Sequence, residues 1–263
     1  MTRLRVATFN ALHGLSLATG SARPTDLAAA AKELTADVVG LQEVDRGQDR
    51  SGGVDQTALV AEALAADHYR FVPALAGTPG RARTWTAVLG DGDSGAGGPT
   101  YGVGLVSRHP VHAWFVRRFP ASSWAMPLLV PRPRPHLEVV PDEPRVALAA
   151  RIDAPGGPLT VVTGHLSFVP GVNVAQLRAV ARWARTLPGP RLFAGDVNLP
   201  GPLPRWITGW ERLARVATYP SYAPRVQFDH VLGDGVDAAT VIGVEALRLL
   251  VSDHCALAVD LDR

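Results

Sequence analysis

The chain has 263 residues, 26 basic against 24 acidic side chains, one lysine (Lys32) and one cysteine (Cys255). That near balance marks no strongly basic nucleic-acid-binding face, and a single cysteine excludes both an intrachain disulfide and a cysteine-based zinc cage. No apolar run approaches the ~18 residues of a membrane span, and MTRLRVATFN opens as a strand without the apolar core of a leader, so a soluble cytoplasmic protein is expected.

The length suits one large domain or two small ones; no linker-like stretch divides the chain, so a single domain over 1–263 is expected. LRVATFN predicts a strand, Asp26 can cap a helix through DLAAAAKELTA, and DVVGLQEV predicts a second buried strand. Asp55 can cap DQTALVAEALAA, followed by strand HYRFVPAL. TWTAVLG, YGVGLVSRHPV and HAWFVRRF then read as short antiparallel hairpin strands, and the proline-crowded stretch from Pro120 to Pro144 as a long surface loop. Strands RVALAARI and LTVVTGHLS lead to a helix through VAQLRAVARWARTL. RLFAGDVN, a short helix near LPRWITGWERL, and strands VQFDHVLG, ATVIGVEALRLL and CALAVDL complete the chain. Cys255 reads as a small buried apolar residue. Many strands with apolar inner faces and few helices predict two packed sheets with helices outside.

Polar residues recur where these apolar strands stop or turn: Asn10, Glu43, His165, Asp196 and Asn198, Asp229, and Asp253 with His254. One Asn or Asp at a strand end is ordinarily a turn former, and one His ordinarily a structural residue. Their recurrence is harder to explain that way, because strand ends of a sandwich can converge on one rim. The set has the composition of a hard-metal hydrolytic site. A cation such as Mg²⁺, or Mn²⁺, prefers carboxylate and amide oxygens and keeps waters, which leaves room for a phosphate oxygen. Glu43 is the first metal-ligand candidate, with Asn10 and Asp253 close behind. Asp196 and Asn198, two apart on one strand face, can take a proton from water and steady it or the phosphate. His254 and His165 can donate to the phosphoryl group, and Asp229 can fix an imidazole tautomer.

The segments TFN (8–10), LQE (41–43), GVGLVSRHPV (102–111), TGHL (163–166), GDVN (195–198), FDHV (228–231) and SDH (252–254) resemble, in order, those of the endonuclease/exonuclease/phosphatase superfamily. The resemblance implies an α/β fold, a four-layer α/β/β/α sandwich of two mainly antiparallel sheets, and a metal-dependent phosphoric ester hydrolase. It implies that Glu43 binds the metal with Asn10 nearby, that Asp196 and Asn198 act on nucleophile and phosphate, that Asp229 orients His254, and that Asp253 completes the site. His165 followed by Ser167 is similar to sphingomyelinases, inositol phosphatases and pancreatic-type nucleases rather than to AP endonucleases. In the pancreatic-type nucleases an acid on a neighbouring strand supports that histidine; Asp91 and Asp93 are the candidates here. Arg46, Arg50 and Arg108 are candidate phosphate contacts, and His13, His109 and His230 read as supporting or structural.

The expected reaction is attack of activated water on a small or lipid-like phosphodiester or phosphomonoester. A DNA or RNA endonuclease is the alternative among hydrolases, and a noncatalytic binding protein on the same scaffold the alternative of another class. Trp124, Met126, Leu128, Leu129 and Val130, beside Arg132 and Arg134, can hold a lipid tail, an aromatic ring or a nucleobase, or else fold back over the sandwich edge.

Overall fold

The computed structural model describes residues 2–79, 84–90, 98–130 and 136–263. The principal elements are β1 (Arg3–Asn10), α1 (Pro24–Leu34), β2 (Val38–Arg46), α2 (Gln56–Ala63), β3 (His68–Ala76), β4 (Thr100–Ser107) and β5 (Val111–Phe119). They continue with β6 (Ala125–Val130), β7 (His136–Pro141), β8 (Arg145–Ile152), β9 (Leu159–Gly164) and α3 (Val172–Ala184). The last are β10 (Arg191–Asp196), α4 (Leu203–Thr208), β11 (Asp229–Asp234), β12 (Val241–Leu247) and β13 (Ala256–Asp262).

Two sheets face each other. The first runs β12-β13-β1-β2-β4-β3, with Thr86–Ala87 on its last edge; the second runs β11-β10-β9-β8-β5, with Glu211–Arg212 beside β11. β1 with β2 and β9 with β10 are parallel pairs, and the other pairs within the two sheets are antiparallel. Side-chain alternation sorts each strand between two cores. In β1, Leu4 and Val6 pack against Leu148, Val161, Leu192 and Val231 between the sheets. Ala7 and Phe9 face the other way, onto Leu27, Leu34 and Val60 of α1 and α2. Leu177, Val180 and Ala184 of α3 cover Val162, Phe193 and Leu232 on the outer face of the second sheet. The result is the expected α/β/β/α order. Among the described residues no helix is long and apolar enough to cross a membrane.

Local signals place most helix and strand starts. Asp55 caps α2, its Oδ1 accepting from the N–H groups of Thr57 and Ala58 at 2.9 and 3.0 Å. Pro24, rather than Asp26, opens α1, since its missing N–H costs nothing in a first turn.

The middle of the chain departs from the expectation in two ways. β4 and β5 form no hairpin: Ser107 to Pro110 carry the chain from the first sheet to the second, where β5 pairs with β8. TWTAVLG contributes only Thr86–Ala87. The 120–144 segment is likewise no plain loop, because β6 and β7 pair antiparallel, Pro127 opposite Val139 and Met126 opposite Val140. Prolines are tolerated there because both strands of a two-stranded ribbon are edges, where a missing N–H breaks no interior ladder. Arg132 and Arg134 of the expected binding segment lie outside the described residues.

The sheets approach most closely behind the polar strand ends. A Cβ on Gly40 of β2 would sit 2.4 Å from Thr163 Oγ1 and 2.7 Å from Ala194 O. Gly40→Ala is therefore expected to lower stability by about 1–3 kcal/mol through overpacking, checked by urea unfolding followed by circular dichroism.

Candidate active site

The polar strand ends converge on one rim. Asn10 ends β1. Glu43 sits in β2 at a bulge, where pairing with β4 shifts between Leu41 and Val44 and Glu43 takes a positive φ of 54°. The bulge breaks the strand's alternation. Gln42 turns inward between the sheets, accepting from Thr8 Oγ1 (3.1 Å) and donating to Thr163 Oγ1 (2.8 Å), while Glu43 is left at the rim. Asp196 ends β10 directly opposite Asp229, the first residue of β11. Ser252, also at positive φ (81°), ties the Asp253–His254 turn to β1: its hydroxyl donates to Asn10 O (2.6 Å) and accepts from His254 N–H (3.0 Å).

The Asn10 amide donates to Glu43 Oε1 (3.0 Å) and to Asp196 Oδ2 (3.1 Å), and its oxygen accepts from Leu12 N–H (3.1 Å). Two carboxylates on one side and an N–H on the other fix the amide's orientation. Asn10 was expected among metal ligands; in this geometry it is a donor that holds two acids. Asp229 Oδ2 accepts from His254 Nδ1 (2.9 Å) and from Thr218 Oγ1 (2.6 Å), and its Oδ1 is buried without a partner. His254 Nδ1 also lies 3.9 Å from Asp196 Oδ2. His165 reaches both sides: Nε2 is 3.7 Å from Asp196 and Nδ1 is 3.9 Å from Glu43. Asn198, at φ 50°, folds its N–H back onto Asp196 Oδ1 (2.9 Å), and its amide lies 3.3 Å from His165 Nε2.

These surroundings push the titrating groups apart. Burial, then the Asp229 carboxylate, raise Asp196 from 3.8 to about 7, against the opposing pull of His254 and of hydrogen bonds from Asn198 and Asn10. His254 goes up to about 10: burial opposes its charge, but Asp229, Asp196 and Asp253 outweigh it. Burial, then Arg145 and His254, hold His165 well below 6.5. Glu43 is raised by burial and then by the Asp253 carboxylate, and Asp253 is raised chiefly by burial.

Two groups could meet a cation. Ligand atoms of Asp196, Asp229 and His254 lie within 4.8 Å of one another. There, however, Asp229 already binds an imidazole that is cationic below about pH 10, which opposes a second positive charge. Glu43 and Asp253 instead raise one carboxylate beside another, a pair of hard oxygen donors that a divalent cation would relieve.

Each of the expected arginine contacts faces an aspartate. Arg108 lies 3.9 Å from Asp37, whose other oxygen binds Arg5 N–H near the start of β1, the end of the sheet opposite Asn10. That placement sets Arg108 apart from the converging strand ends. Arg46 sits 3.9 Å from Asp55 and over the Phe71 ring, and Arg50 makes a two-point pair with Asp45 (2.9 and 2.7 Å). Asp91 and Asp93 lie outside the described residues. The cation beside His165 is instead Arg145, its Nη1 3.1 Å from Nδ1. Strand pairing held the missed signal: Ala147 of β8 faces Gly164, so the start of β8 runs beside His165. Tyr219, which packs on His254 at 4.9 Å between ring centroids, and Thr218 were also missed, although both closely precede FDHV.

The sequence profile described as the Endonuclease/Exonuclease/phosphatase family matches residues 7–254. The chain belongs to that family. Its members are generally metal-dependent hydrolases, phosphoesterases and nucleases among them. Solved family structures share the fold at low identity. The endonuclease/exonuclease/phosphatase from Beutenbergia cavernae DSM 12333 is 22% identical with a TM-score of 0.65, over 99% of this chain and 72% of that one. The family protein from Leptotrichia buccalis C-1013-b is 14% identical (TM-score 0.62; 99% and 100% covered). TDP2 from D. rerio, complexed with a single-strand DNA product, is 17% identical (TM-score 0.57; 100% of each). No curated protein matches the sequence.

Removing one partner of a buried ion pair strands the other, so Asp229→Asn is expected to cost about 3–5 kcal/mol near neutral pH. Because His254 is raised from 6.5 to about 10, its contribution is complete below 6.5 and lost as pH rises through about 10. The gap between wild type and Asp229→Asn should therefore narrow above that pH, as measured by urea unfolding in EDTA.

Proposed function

We propose that the chain is a Mg²⁺- or Mn²⁺-dependent phosphoesterase, a single domain acting on a small or lipid-like phosphate ester by attack of water at phosphorus. The observation that carries this reading is the Asn10 amide, which holds Glu43 and Asp196 together while the Asp229–His254 pair stands beside them. Chemistry at phosphorus needs a cation, a proton acceptor and fixed donors within reach of one another.

Glu43 and Asp253 would hold the cation, which when bound supplies charge stabilisation at the phosphoryl oxygens. Asp196, raised to about 7, takes the proton of the attacking water near neutral pH. Asn198 aligns that water or a phosphate oxygen. His254, kept cationic by Asp229, donates to charge developing on a nonbridging oxygen, and His165 serves as a neutral donor. Nucleic acid is the second substrate reading, favoured by the likeness to TDP2, which was seen with single-strand DNA.

Hydrolysis of bis-p-nitrophenyl phosphate, p-nitrophenyl phosphate, sphingomyelin, inositol phosphates and supercoiled plasmid, each with Mg²⁺, Mn²⁺ or EDTA, tests the reading. Turnover that needs the metal and falls by about 10²–10⁴-fold in Asp196→Ala is expected. Undiminished turnover in that variant sinks the role of Asp196; no turnover with either metal favours a binding scaffold. Glu43→Gln is expected to weaken Mn²⁺ binding by about tenfold or more, read by electron paramagnetic resonance without substrate.

A further inference from the structure

Arg145 opens β8 and is 96% buried, with 4% of its surface exposed, yet its guanidinium is poorly matched. It has five N–H donors in a fixed fork and can accept nothing. Nη1 faces His165 Nδ1 at 3.1 Å, the nearest carboxylate oxygen is Glu143 Oε2 at 4.0 Å from Nη2, and the Phe168 ring lies 5.6 Å from the guanidinium carbon. Nε is buried without a hydrogen-bond partner. Charge-assisted bonds to a carboxylate close to ~2.7–2.9 Å, so the Glu143 contact is a loose one. A buried cation in this condition is unfavourable unless an anion completes it.

Space for one oxygen of such an anion is adjacent. A narrow cleft lined by Arg145, His165, Tyr101 and Gly102, with Ala74 and Val146 behind them, has room for about one water-sized atom, the size of a single phosphate oxygen. His165 forms one wall, and its ring lies between Arg145 on one side and Asp196 on the other. Arg50 is closely paired with Asp45 at 2.7 Å, while Arg46 and Arg108 stand 3.9 Å from Asp55 and Asp37, as loose a contact as that of Arg145 with Glu143, but their side chains reach solvent. Of these four only Arg145 is buried, and it stands next to a residue of the proposed reaction.

We propose that Arg145 is a phosphate-binding residue, its guanidinium taking a nonbridging oxygen of the phosphoryl group at the cleft beside His165. The inference rests on the phosphoesterase reading and adds to it a protein cation that no family motif in this sequence contains. A planar fork suits phosphate oxygens better than an ammonium does, so lysine is a partial substitute.

Calorimetric titration of inorganic phosphate into the Mg²⁺-loaded protein tests this with wild type, Arg145→Gln and Arg145→Lys. Phosphate affinity is expected to fall by about tenfold or more in Arg145→Gln and by a smaller factor in Arg145→Lys, with Mg²⁺ affinity and melting temperature held. Unchanged phosphate affinity in Arg145→Gln overturns the proposal, as does a loss matched by an equal loss of Mg²⁺ binding, which marks a structural role. Should Arg145→Gln fail to fold, Arg145→Lys decides: phosphate affinity equal to wild type overturns the proposal. Wild-type turnover that depends on Asp196, with phosphate binding insensitive to Arg145, sinks this inference alone. A wild type that neither turns over any ester nor binds phosphate sinks both readings.

Discussion

One primary amide joins the two sheets at their working edge. Asn10 belongs to the first sheet; it donates one N–H to Glu43 of the same sheet and the other to Asp196 of the second. The bond to Asp196 needs the sheets at a set spacing, and that spacing is fixed just behind the rim. Gln42 spans the gap between Thr8 and Thr163, and Gly40 removes the side chain that would hold the layers apart. A buried amide with every polar atom matched is costly to misplace, because any slip leaves a donor or acceptor unpaired in low dielectric. The bulge at Glu43 follows from the same demand: it lets adjacent residues serve two purposes, Gln42 the sheet contact and Glu43 the rim.

The rim sets its two facing carboxyl groups apart by surroundings rather than by residue type. Asp196 and Asp229 face each other across β10 and β11. Asp229 is matched by the His254 imidazole and the Thr218 hydroxyl. Asp196 receives its hydrogen bonds from the neutral Asn10 amide and the Asn198 N–H, with His254 farther off at 3.9 Å. The acid bonded to the imidazole supports its positive charge, and its neighbour bears the cost of a second buried carboxylate and holds a proton up to about pH 7. Pairs of titratable groups driven apart in this way are the usual arrangement for proton transfer near neutrality.

Much of this was legible in the sequence for a simple reason: the residues concerned terminate apolar strands. A polar residue ending a run such as RVATFN or RLFAGD has no place in either core, and strand ends on the same edge meet. Arg145 was not legible because it begins a strand, RVALAARI, where a charge passes for ordinary solvation. Only the pairing of β8 with β9 brings it to His165, and periodicity carries no pairing. Arg108 shows the converse. It lies within a recurring motif, but the turn it occupies is at the far end of the sheet, where chain direction puts everything that precedes a strand ending at the rim. The β6–β7 ribbon was missed because proline is read as a breaker, a rule that fails on edges.

Chemistry and substrate choice are built from different parts of this fold. Among the described residues the acids and imidazoles of the rim are held by strands and short turns bonded to them, so their positions follow from the sheets. The most exposed aromatics among the described residues lie elsewhere: Trp124 just before the ribbon, Tyr222 in the turn after Tyr219, and Trp206 on α4. Two of these segments are nonetheless tied to the rim by their backbones. Asp142, at the base of the ribbon, accepts from the Ser167 hydroxyl two residues after His165 and from Ser122 N–H, while its own N–H donates to Trp124 O. The Tyr222 turn is held where Ser221 N–H donates to Asp253 O at 2.6 Å. Residues on these anchored segments can change without disturbing the inter-sheet amide contact, so one fixed polar rim can be combined with different surrounding walls.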